Sequence, residues 1–171
     1  MCRAPAALVL VAAAIALTAC AGRRIENGVY HSTKGYRVTL PSSEWVVADQ
    51  SRADLELHHH GGAAAILANG ECDQRAAGRS PDLLARQLLI GLRDRTTITR
   101  EEVSLNGMRA VHRVLDGRLA SGDEPTRIEA YVTKDERCVY DFVYVAPPSS
   151  FESWRPDFLK FVESFAKERG D

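Results

Sequence analysis

The chain has 171 residues, of which 22 are Lys or Arg and 23 are Asp or Glu, giving a formal net charge of −1 at pH 7. Basic residues are interspersed with acidic ones, as in Arg93-Asp94-Arg95 and Arg100-Glu101-Glu102. A nucleic-acid-binding surface would need basic residues clustered on one face. The composition therefore predicts no nucleic-acid partner, and the length is that of one domain.

The N-terminus carries a short apolar run, Ala6 to Leu17, preceded by the single charge of Arg3. This run is shorter than the roughly 20 residues that a membrane-spanning helix needs, and it has the length and flanks of the apolar region of a signal peptide. It ends in Leu17-Thr18-Ala19-Cys20. That tetrapeptide resembles the lipobox of bacterial lipoproteins.

The lipobox resemblance implies that residues 1–19 are a signal peptide and that Cys20 becomes a lipid-bearing first residue. It places the protein in the bacterial cell envelope, and Ala21 in the next position favours the outer membrane, facing the periplasm. We expect residues 20–27 to be a lipidated tether, about 25 Å long when extended, and residues 28–171 to be a single domain. An ordinary signal peptide with a chance cysteine, or an uncleaved anchor, are the alternatives.

Two further cysteines, Cys72 and Cys138, remain in the exported domain. An even pair in an oxidising compartment predicts a structural disulfide. Two free buried thiols are the alternative. No C-x-x-C motif is present, and neither neighbourhood has the basic setting that a catalytic cysteine requires.

The first half of the domain has several segments that alternate in the manner of half-buried strands. They are Tyr36 to Leu40, stopped by Pro41, Trp45 to Val47, Asp54 to His60, and Ala63 to Ala68. Ser80-Pro81-Asp82 then has the residues of a helix N-terminus. Leu84, Ala85, Leu88, Leu89 and Leu92 follow at helical spacing, which predicts a helix over residues 81–94.

The sequence pattern of the second half of the domain predicts a hairpin, two more strands and a terminal helix. Asn106-Gly107 is a strong hairpin turn between residues 97–105 and 108–119. A strand around residues 128–132 is followed by Cys138 to Ala146, which is apolar on nearly both faces and so belongs in a sheet covered on both sides. The last helix has Pro156 in its first turn and a buried stripe that includes Phe158, Val162 and Phe165.

This order of elements predicts an α+β fold, a three-layer sandwich whose mainly antiparallel sheet is covered by helices. The segment Tyr36-Arg37-Val38-Thr39-Leu40-Pro41, followed by Trp45, resembles the opening of PsbP-like domains. The hairpin at Asn106-Gly107 and the ending Phe158 to Phe165 are also similar to that family. PsbP-like domains are α/β/α sandwiches found in photosystem II extrinsic proteins and in many bacterial lipoproteins, so the resemblance implies this fold and an accessory or binding role.

The run His58-His59-His60 is the most conspicuous polar motif. Alternation along a strand would place Glu56, His58 and His60 on one face, where imidazoles and a carboxylate are ligands for Zn or Cu. Residues two apart on a flat strand rarely converge on one ion, so we expect no metal or cofactor. A polar outer face and a pH-responsive patch are the other interpretations. Asp141, inside the doubly apolar strand, predicts a buried carboxylate with a raised pKa.

No nucleophile elbow, phosphate-binding glycine loop or zinc-protease motif occurs in the sequence. We therefore expect a non-catalytic accessory or adaptor protein, anchored through Cys20, that binds another envelope protein. A binding module for a small or lipidic ligand is the alternative, and an enzyme is the third possibility. The candidate binding segments are the polar stretches Gly70 to Arg79 and Gly117 to Thr126.

Overall fold

The computed structural model describes residues 24–120 and 122–168. The strands in this part of the chain are β1 (Arg24–Glu26), β2 (Val29–Ser32), β3 (Tyr36–Thr39), β4 (Trp45–Val47), β5 (Leu55–His59), β6 (Ala65–Glu71), β7 (Leu92–Leu105), β8 (Met108–Leu119), β9 (Pro125–Lys134), β10 (Val139–Ala146) and β11 (Ala166–Lys167). The helices are α1 (Gln74–Ala77), α2 (Pro81–Leu88) and α3 (Phe151–Glu163).

The strands form two antiparallel sheets. The large sheet has seven strands in the order β4-β5-β6-β10-β9-β8-β7, so β4 and β7 are its two edges. The small sheet has four strands in the order β1-β2-β3-β11. Short turns join β2 to β3 and β7 to β8, so these neighbours run antiparallel, and β6 and β10 also pair antiparallel although they are far apart in the chain.

Alternating side chains of β10 show how the layers stack. Tyr140, Phe142 and Tyr144 pack in one cluster with α3 and with the small sheet. Val139 and Val143 face the other way, into clusters that also contain Ala85 of α2 and Leu89 just after it. The central sheet is therefore covered on both faces, and the fold is the three-layer α+β sandwich that the sequence predicted.

The hairpin between β7 and β8 turns at Asn106-Gly107, as predicted. Both turn residues have a positive φ, 49° for Asn106 and 80° for Gly107. Asn and Gly tolerate that conformation, and its twist matches the twist of the flanking strands. The Asn106 side chain also donates from Nδ2 to the carbonyl of Phe165 at 2.7 Å, which ties the turn to the C-terminal segment.

The helix predicted over residues 81–94 is shorter than expected. It ends at Leu88, and Leu92 is already the first residue of β7. Leu89 and Leu92 are both buried in one cluster, but a turn joins them, with the amide of Leu92 donating to the carbonyl of Leu89 at 3.2 Å. The turn brings Leu92 back to the cluster that contains Leu89. Two buried residues three positions apart therefore look like a continuing helix in the sequence, although the helix has already ended.

The C-terminal helix begins earlier than predicted. α3 starts at Phe151, so Pro156 lies inside the helix instead of in its first turn. Phe151 is 1% exposed, and its carbonyl accepts a hydrogen bond from the hydroxyl of Tyr144 at 2.8 Å. The packing of Phe151 stabilises one additional helical turn before Pro156. This turn forms even though Pro156 has no N–H to donate to the carbonyl four residues earlier.

The small sheet contains strands that the sequence patterns did not reveal. Of its four strands, only β3 was predicted. β1 begins at Arg24, so the last part of the expected tether, residues 20–27, is a strand paired with β2. The expected signal peptide and Cys20 lie outside the described residues.

Candidate functional site

Cys72 and Cys138 form the disulfide that the sequence predicted, with an S–S distance of 2.00 Å. It joins the end of β6 to the start of β10, two neighbouring strands of the large sheet. Cys138 is buried, whereas Cys72 is exposed. The bond therefore closes one end of the sheet while one of its sulfurs remains close to solvent.

An open groove of about 530 Å³ lies beside this disulfide. Its walls come from the β2–β3 turn, the β9–β10 turn and the segment around β11. Basic and acidic side chains both contribute; they are Lys34, Arg137, Lys167, Asp135 and Glu168. Half of the ten lining residues are charged, and these mixed charges are suited to polar contacts.

Asp135 is the best-connected acidic residue of this groove. Its carboxylate forms an ion pair with Lys167 and accepts hydrogen bonds from the backbone amides of Arg137 and Cys138 at 2.8 and 2.7 Å. Although burial raises the pKa of Asp135, these hydrogen bonds lower it to about 2. The β9–β10 turn is therefore fixed by a carboxylate that remains ionised at neutral pH.

The chain enters the domain beside the groove. Arg24, at the start of β1, pairs with His31 of β2. Nδ1 of His31 lies 2.6 Å from a carboxylate oxygen of Glu168, and Glu168 lines the groove. The first described residue and the disulfide groove thus lie at the same end of the molecule.

The two polar segments proposed from the sequence as binding loops do not lie together. Gly70 to Arg79 begins with the last two residues of β6, at the end where Glu71 pairs with Val139. Gly117 to Thr126 includes the end of β8 and the start of β9, at the opposite end, where Val145 pairs with Ile128. The ten residues of β9 separate these ends by about 30 Å. The two segments cannot form one continuous surface, and only the first lies near the groove.

The histidine run does not gather on one face. β5 ends at His59, so His60 lies beyond the strand. His58 is exposed and hydrogen-bonds to Glu56 at 2.7 Å. His59 packs between the rings of Trp45 and Trp154, with centroids 5.0 and 4.5 Å away.

Gly62 allows Trp154 to lie close to the turn after His60. A Cβ added to Gly62 would fall 2.3 Å from the Trp154 ring. The turn is therefore built for packing against α3. Across residues 24–120 and 122–168, no group of three or more His, Cys, Asp or Glu is placed to hold a metal ion.

Asp141 has the raised pKa that its position predicted. Burial is the main cause and raises the pKa to about 6, while a 3.0 Å hydrogen bond from Nδ2 of Asn69 opposes the shift. Asn69 is its direct partner on β6. The carboxyl thus protonates in a pH range close to neutrality.

A buried charge network on the α3 face of the sheet was not predicted. Glu129 of β9 is fully buried. Its carboxylate accepts two hydrogen bonds from Arg155 of α3 at 2.7 and 2.9 Å, and it lies 2.8 Å from Nε2 of His112. Nδ1 of His112 lies 2.8 Å from Glu101. The imidazole therefore donates to a carboxylate from each nitrogen, as a protonated ring does.

The network shifts the pKa values of its members toward the charged forms. Burial lowers the pKa of His112, but the hydrogen bonds to Glu129 and Glu101 outweigh it and the pKa is raised overall. Burial likewise raises the pKa of Glu129, but His112 and Arg155 outweigh it and the pKa is lowered. Because Glu129 is fully buried and its oxygens are engaged by these partners, the network is suited to holding α3 on the sheet.

The alternation in β9 did suggest that Glu129 points away from Ile128 and Ala130. The sequence signal for the burial of Glu129 lies in the neighbouring strand β10. Both faces of β10 are apolar, which implies that both faces of the sheet are covered. A glutamate in the middle of such a sheet must be buried and must have a cationic partner.

No helix among the described residues is long and apolar enough to span a membrane. The chain matches no protein-family model. Curated protein sequences likewise give no match.

Comparison with solved structures shows which known proteins have a similar fold. The α/β/α sandwich is similar to the cyanobacterial PsbP protein of Synechocystis, with a TM-score of 0.60, 16% identity, and coverage of 81% of this chain and 91% of that one. It is also similar to LpqN of Mycobacterium tuberculosis, with a TM-score of 0.59, 13% identity, and coverage of 81% and 88%.

A third similar structure is a protein of unknown function and putative regulator from Pseudomonas aeruginosa, with a TM-score of 0.53, 13% identity, and coverage of 83% of this chain and 97% of that one. At these identities the likeness concerns the fold. The chain has a PsbP-like fold.

Proposed function

We propose that this protein is a lipid-anchored accessory protein of the bacterial envelope, an adaptor that binds another envelope protein and has no catalytic activity of its own. The observation that carries this proposal is the position of Arg24. It is four positions after Cys20, and it already belongs to the folded domain, beside the disulfide groove.

This short connection constrains how a lipidated domain would stand on a membrane. Four residues span at most about 14 Å. Lipid on Cys20 would therefore hold the groove end of the domain next to the bilayer surface. Confinement of this kind raises the effective concentration for partners on the same surface, which suits an adaptor better than a freely diffusing protein.

The partner surface is assigned to α2 and the edge strand β7. Six large apolar residues are exposed in the described part of the chain, and four of them, Leu83, Leu88, Ile90 and Ile98, belong to α2, the turn after it, and β7. Ile90 is 71% exposed and Ile98 is 49% exposed. Large exposed apolar side chains such as Ile90 and Ile98 are candidates for contact with a protein partner.

The edge strand itself offers a mode of binding. No other described strand pairs with the outer side of β7, and from Thr99 to Leu105 its pairing with β8 is regular. An extended segment of a partner could add to this edge through backbone hydrogen bonds. The charges of Arg100, Glu101 and Glu102 oppose indiscriminate pairing and favour a partner strand of complementary charge.

The comparisons support the proposal at the level of fold. LpqN is described as involved in cell envelope biogenesis, and the Pseudomonas protein as a putative regulator. These descriptions belong to those proteins, and both are compatible with a non-catalytic role in the envelope. A deep apolar pocket would favour the ligand-binding alternative. The groove beside the disulfide is instead open and charged.

The anchor is tested by Cys20→Ser. We expect unprocessed precursor without lipid, whereas the matched variant Cys2→Ser, within the expected signal peptide, should be processed normally. Mass spectrometry of the intact protein from the membrane fraction measures both. A Cys20→Ser protein that is cleaved and lipid-bearing would contradict the anchor.

The partner surface is tested by site-specific photocrosslinking in intact cells followed by mass spectrometry. A crosslinker at Ile98 should capture a specific envelope protein. The control is a crosslinker at Val46, which is 44% exposed on the opposite edge strand of the same sheet. Equal capture at both positions would contradict the surface. Substrate turnover by the purified protein, abolished by one side-chain substitution, would overturn the adaptor proposal.

A further inference from the structure

An arginine under α2 has an unsatisfied buried nitrogen. Arg113 lies in β8 between Val111 and Leu115, which pack in the clusters on the α2 face. It is 8% exposed. Its Nε is the one buried side-chain nitrogen or oxygen in the described residues that has no hydrogen-bond partner. A buried polar group without a partner is costly, so a group that accepts this hydrogen bond would be favoured there.

The surroundings of Arg113 carry an excess of positive charge. Arg100 is its direct neighbour across the β7–β8 pair, and like charges in that arrangement repel. One carboxylate, that of Asp82, lies among three guanidinium groups. It is 3.0 Å from Nε of Arg100, 3.4 Å from Nε of Arg86, and 3.9 Å from Nη2 of Arg113.

Neighbouring acidic groups are committed elsewhere. Glu102, two residues after Arg100, is held by Arg109 at 2.6 Å. Asp116 of β8 is held by Arg127 at 2.7 Å. The three arginines around Asp82 therefore exceed their local negative charge by two, which is the charge of a phosphate monoester.

We propose that Arg113, Arg100 and Arg86 form a binding site for a phosphate group, carried either by a soluble phosphate ester or by a phospholipid headgroup. Arginine forks bind phosphate oxygens through paired, charge-assisted hydrogen bonds. The Nε of Arg113 supplies a donor in a sheltered position, and the more exposed Arg100 and Arg86 supply donors at the rim. This site goes beyond the adaptor function and does not depend on it.

Solvent reaches the cluster through Arg100 and Arg86, whose side chains are both 59% exposed, and an open groove of about 290 Å³ lies next to it at the N-terminus of α2. Ser80, Asp82 and Val111 contribute to its lining, and Val111 is on the same face of β8 as Arg113. The electrostatics agree with an anionic ligand. Burial lowers the pKa of Arg113, and the charges of Arg100, Arg86 and Arg95 lower it further against the opposing effect of Asp82. A bound anion would relieve that repulsion.

The test is isothermal titration calorimetry on the full-length protein in detergent at low ionic strength. The probes are inorganic phosphate, glycerol 3-phosphate and glycerophosphoglycerol, the soluble headgroup of phosphatidylglycerol. Tighter binding of glycerol 3-phosphate supports a soluble monoester, and tighter binding of glycerophosphoglycerol supports a lipid headgroup. Absence of saturable binding for all three probes overturns the site.

Three variants separate a ligand site from a purely structural cluster. Arg100→Gln should weaken binding about tenfold, whereas Asp82→Asn should strengthen it because it removes the competing carboxylate. Arg93→Gln is the matched control, since Arg93 is an exposed arginine of the same strand, paired with Asp123, and should leave affinity unchanged. Equal weakening by Arg93→Gln and Arg100→Gln, or no gain from Asp82→Asn, would overturn the proposal.

Discussion

Arg155 of α3 donates two hydrogen bonds to the fully buried carboxylate of Glu129, from Nε at 2.7 Å and from Nη2 at 2.9 Å. The pair joins the helix to a central strand of the large sheet. Because Arg155 is partly exposed and Glu129 is not, the arginine brings its charge inward to a carboxylate that solvent cannot reach. The orientation of α3 on the sheet depends on this contact as well as on apolar packing.

Arg155→Gln should lower the free energy of unfolding by about 3 kcal/mol, because it removes two hydrogen bonds to a buried carboxylate and leaves His112 as the remaining cationic partner of Glu129. The measurement is urea denaturation at pH 7. The control is Arg109→Gln, which removes an exposed pair with Glu102 and should cost less than about 1 kcal/mol. Equal small losses in both variants would show that Glu129 does not need Arg155.

His112 should make stability depend on pH above its unfolded pKa of about 6.5. Glu101, Glu129 and, through Glu129, Arg155 surround its ring, and Tyr131 stacks on it with centroids 4.4 Å apart. Its folded pKa is raised, so its stabilising contribution is complete below the unfolded value of about 6.5 and is lost as the pH rises through the folded pKa.

The free energy of unfolding, measured between pH 6 and pH 9, should therefore fall with rising pH, and this slope should be smaller in His112→Gln. The pKa of His112 can be read directly from the pH dependence of its imidazole resonances in NMR spectra. A His112 ring that titrates below 6.5 would contradict the prediction.

Asp141→Asn should stabilise the protein at neutral pH. The folded pKa of Asp141 is about 6, above its unfolded value, so the folded state favours the protonated form. The stability that this residue contributes is present below about pH 4 and is lost as the pH rises to about 6. Asparagine stays neutral and can still accept the hydrogen bond from Asn69.

The gain should be about 1–3 kcal/mol at pH 7.5 and should vanish near pH 4. Thermal denaturation at the two pH values measures it. Asp123→Asn is the control, because the Asp123 side chain is 91% exposed and its substitution should change little at either pH. A gain of the same size at pH 4 would mean that ionisation is not the cause.

Removing the disulfide by Cys72→Ser and Cys138→Ser together should cost about 4 kcal/mol, the chain-entropy value for a loop that closes over a sequence separation of 66. Chemical denaturation of the oxidised protein and the double variant gives this difference. Alkylation under denaturing conditions should add two labels at Cys72 and Cys138 only after reduction. Two labels without reductant would show free thiols in the cell.

The local patterns of the sequence were sufficient for the sandwich itself. β8 has the predicted bounds, 108–119, because Asn106-Gly107 fixes the turn before it. The doubly apolar β10 correctly indicated layers on both faces of the sheet. These features depend on neighbouring residues, for which backbone preference and side-chain alternation are enough information.

The small sheet and the ends of the helices could not be predicted from local sequence patterns. β1 and β11 have only three and two residues, too few for a recognisable period, and they form because β2 and β3 provide edges to pair with. α3 extends to Phe151 because that ring packs against Tyr144, seven residues earlier in the chain but on another element. Contacts between elements thus overrode the usual position of Pro156.

The sequence by itself determined the layered architecture, the disulfide pair and the raised pKa of Asp141, since each follows from composition and spacing along the chain. Only the tertiary structure decided that Glu129 is buried against Arg155 and His112, and that Arg113 lies under α2 beside Asp82. It also separated the two predicted binding loops to opposite ends of the sheet. Charges act through space, so their partners and pKa values depend on which elements pack together, and no local pattern contains that information.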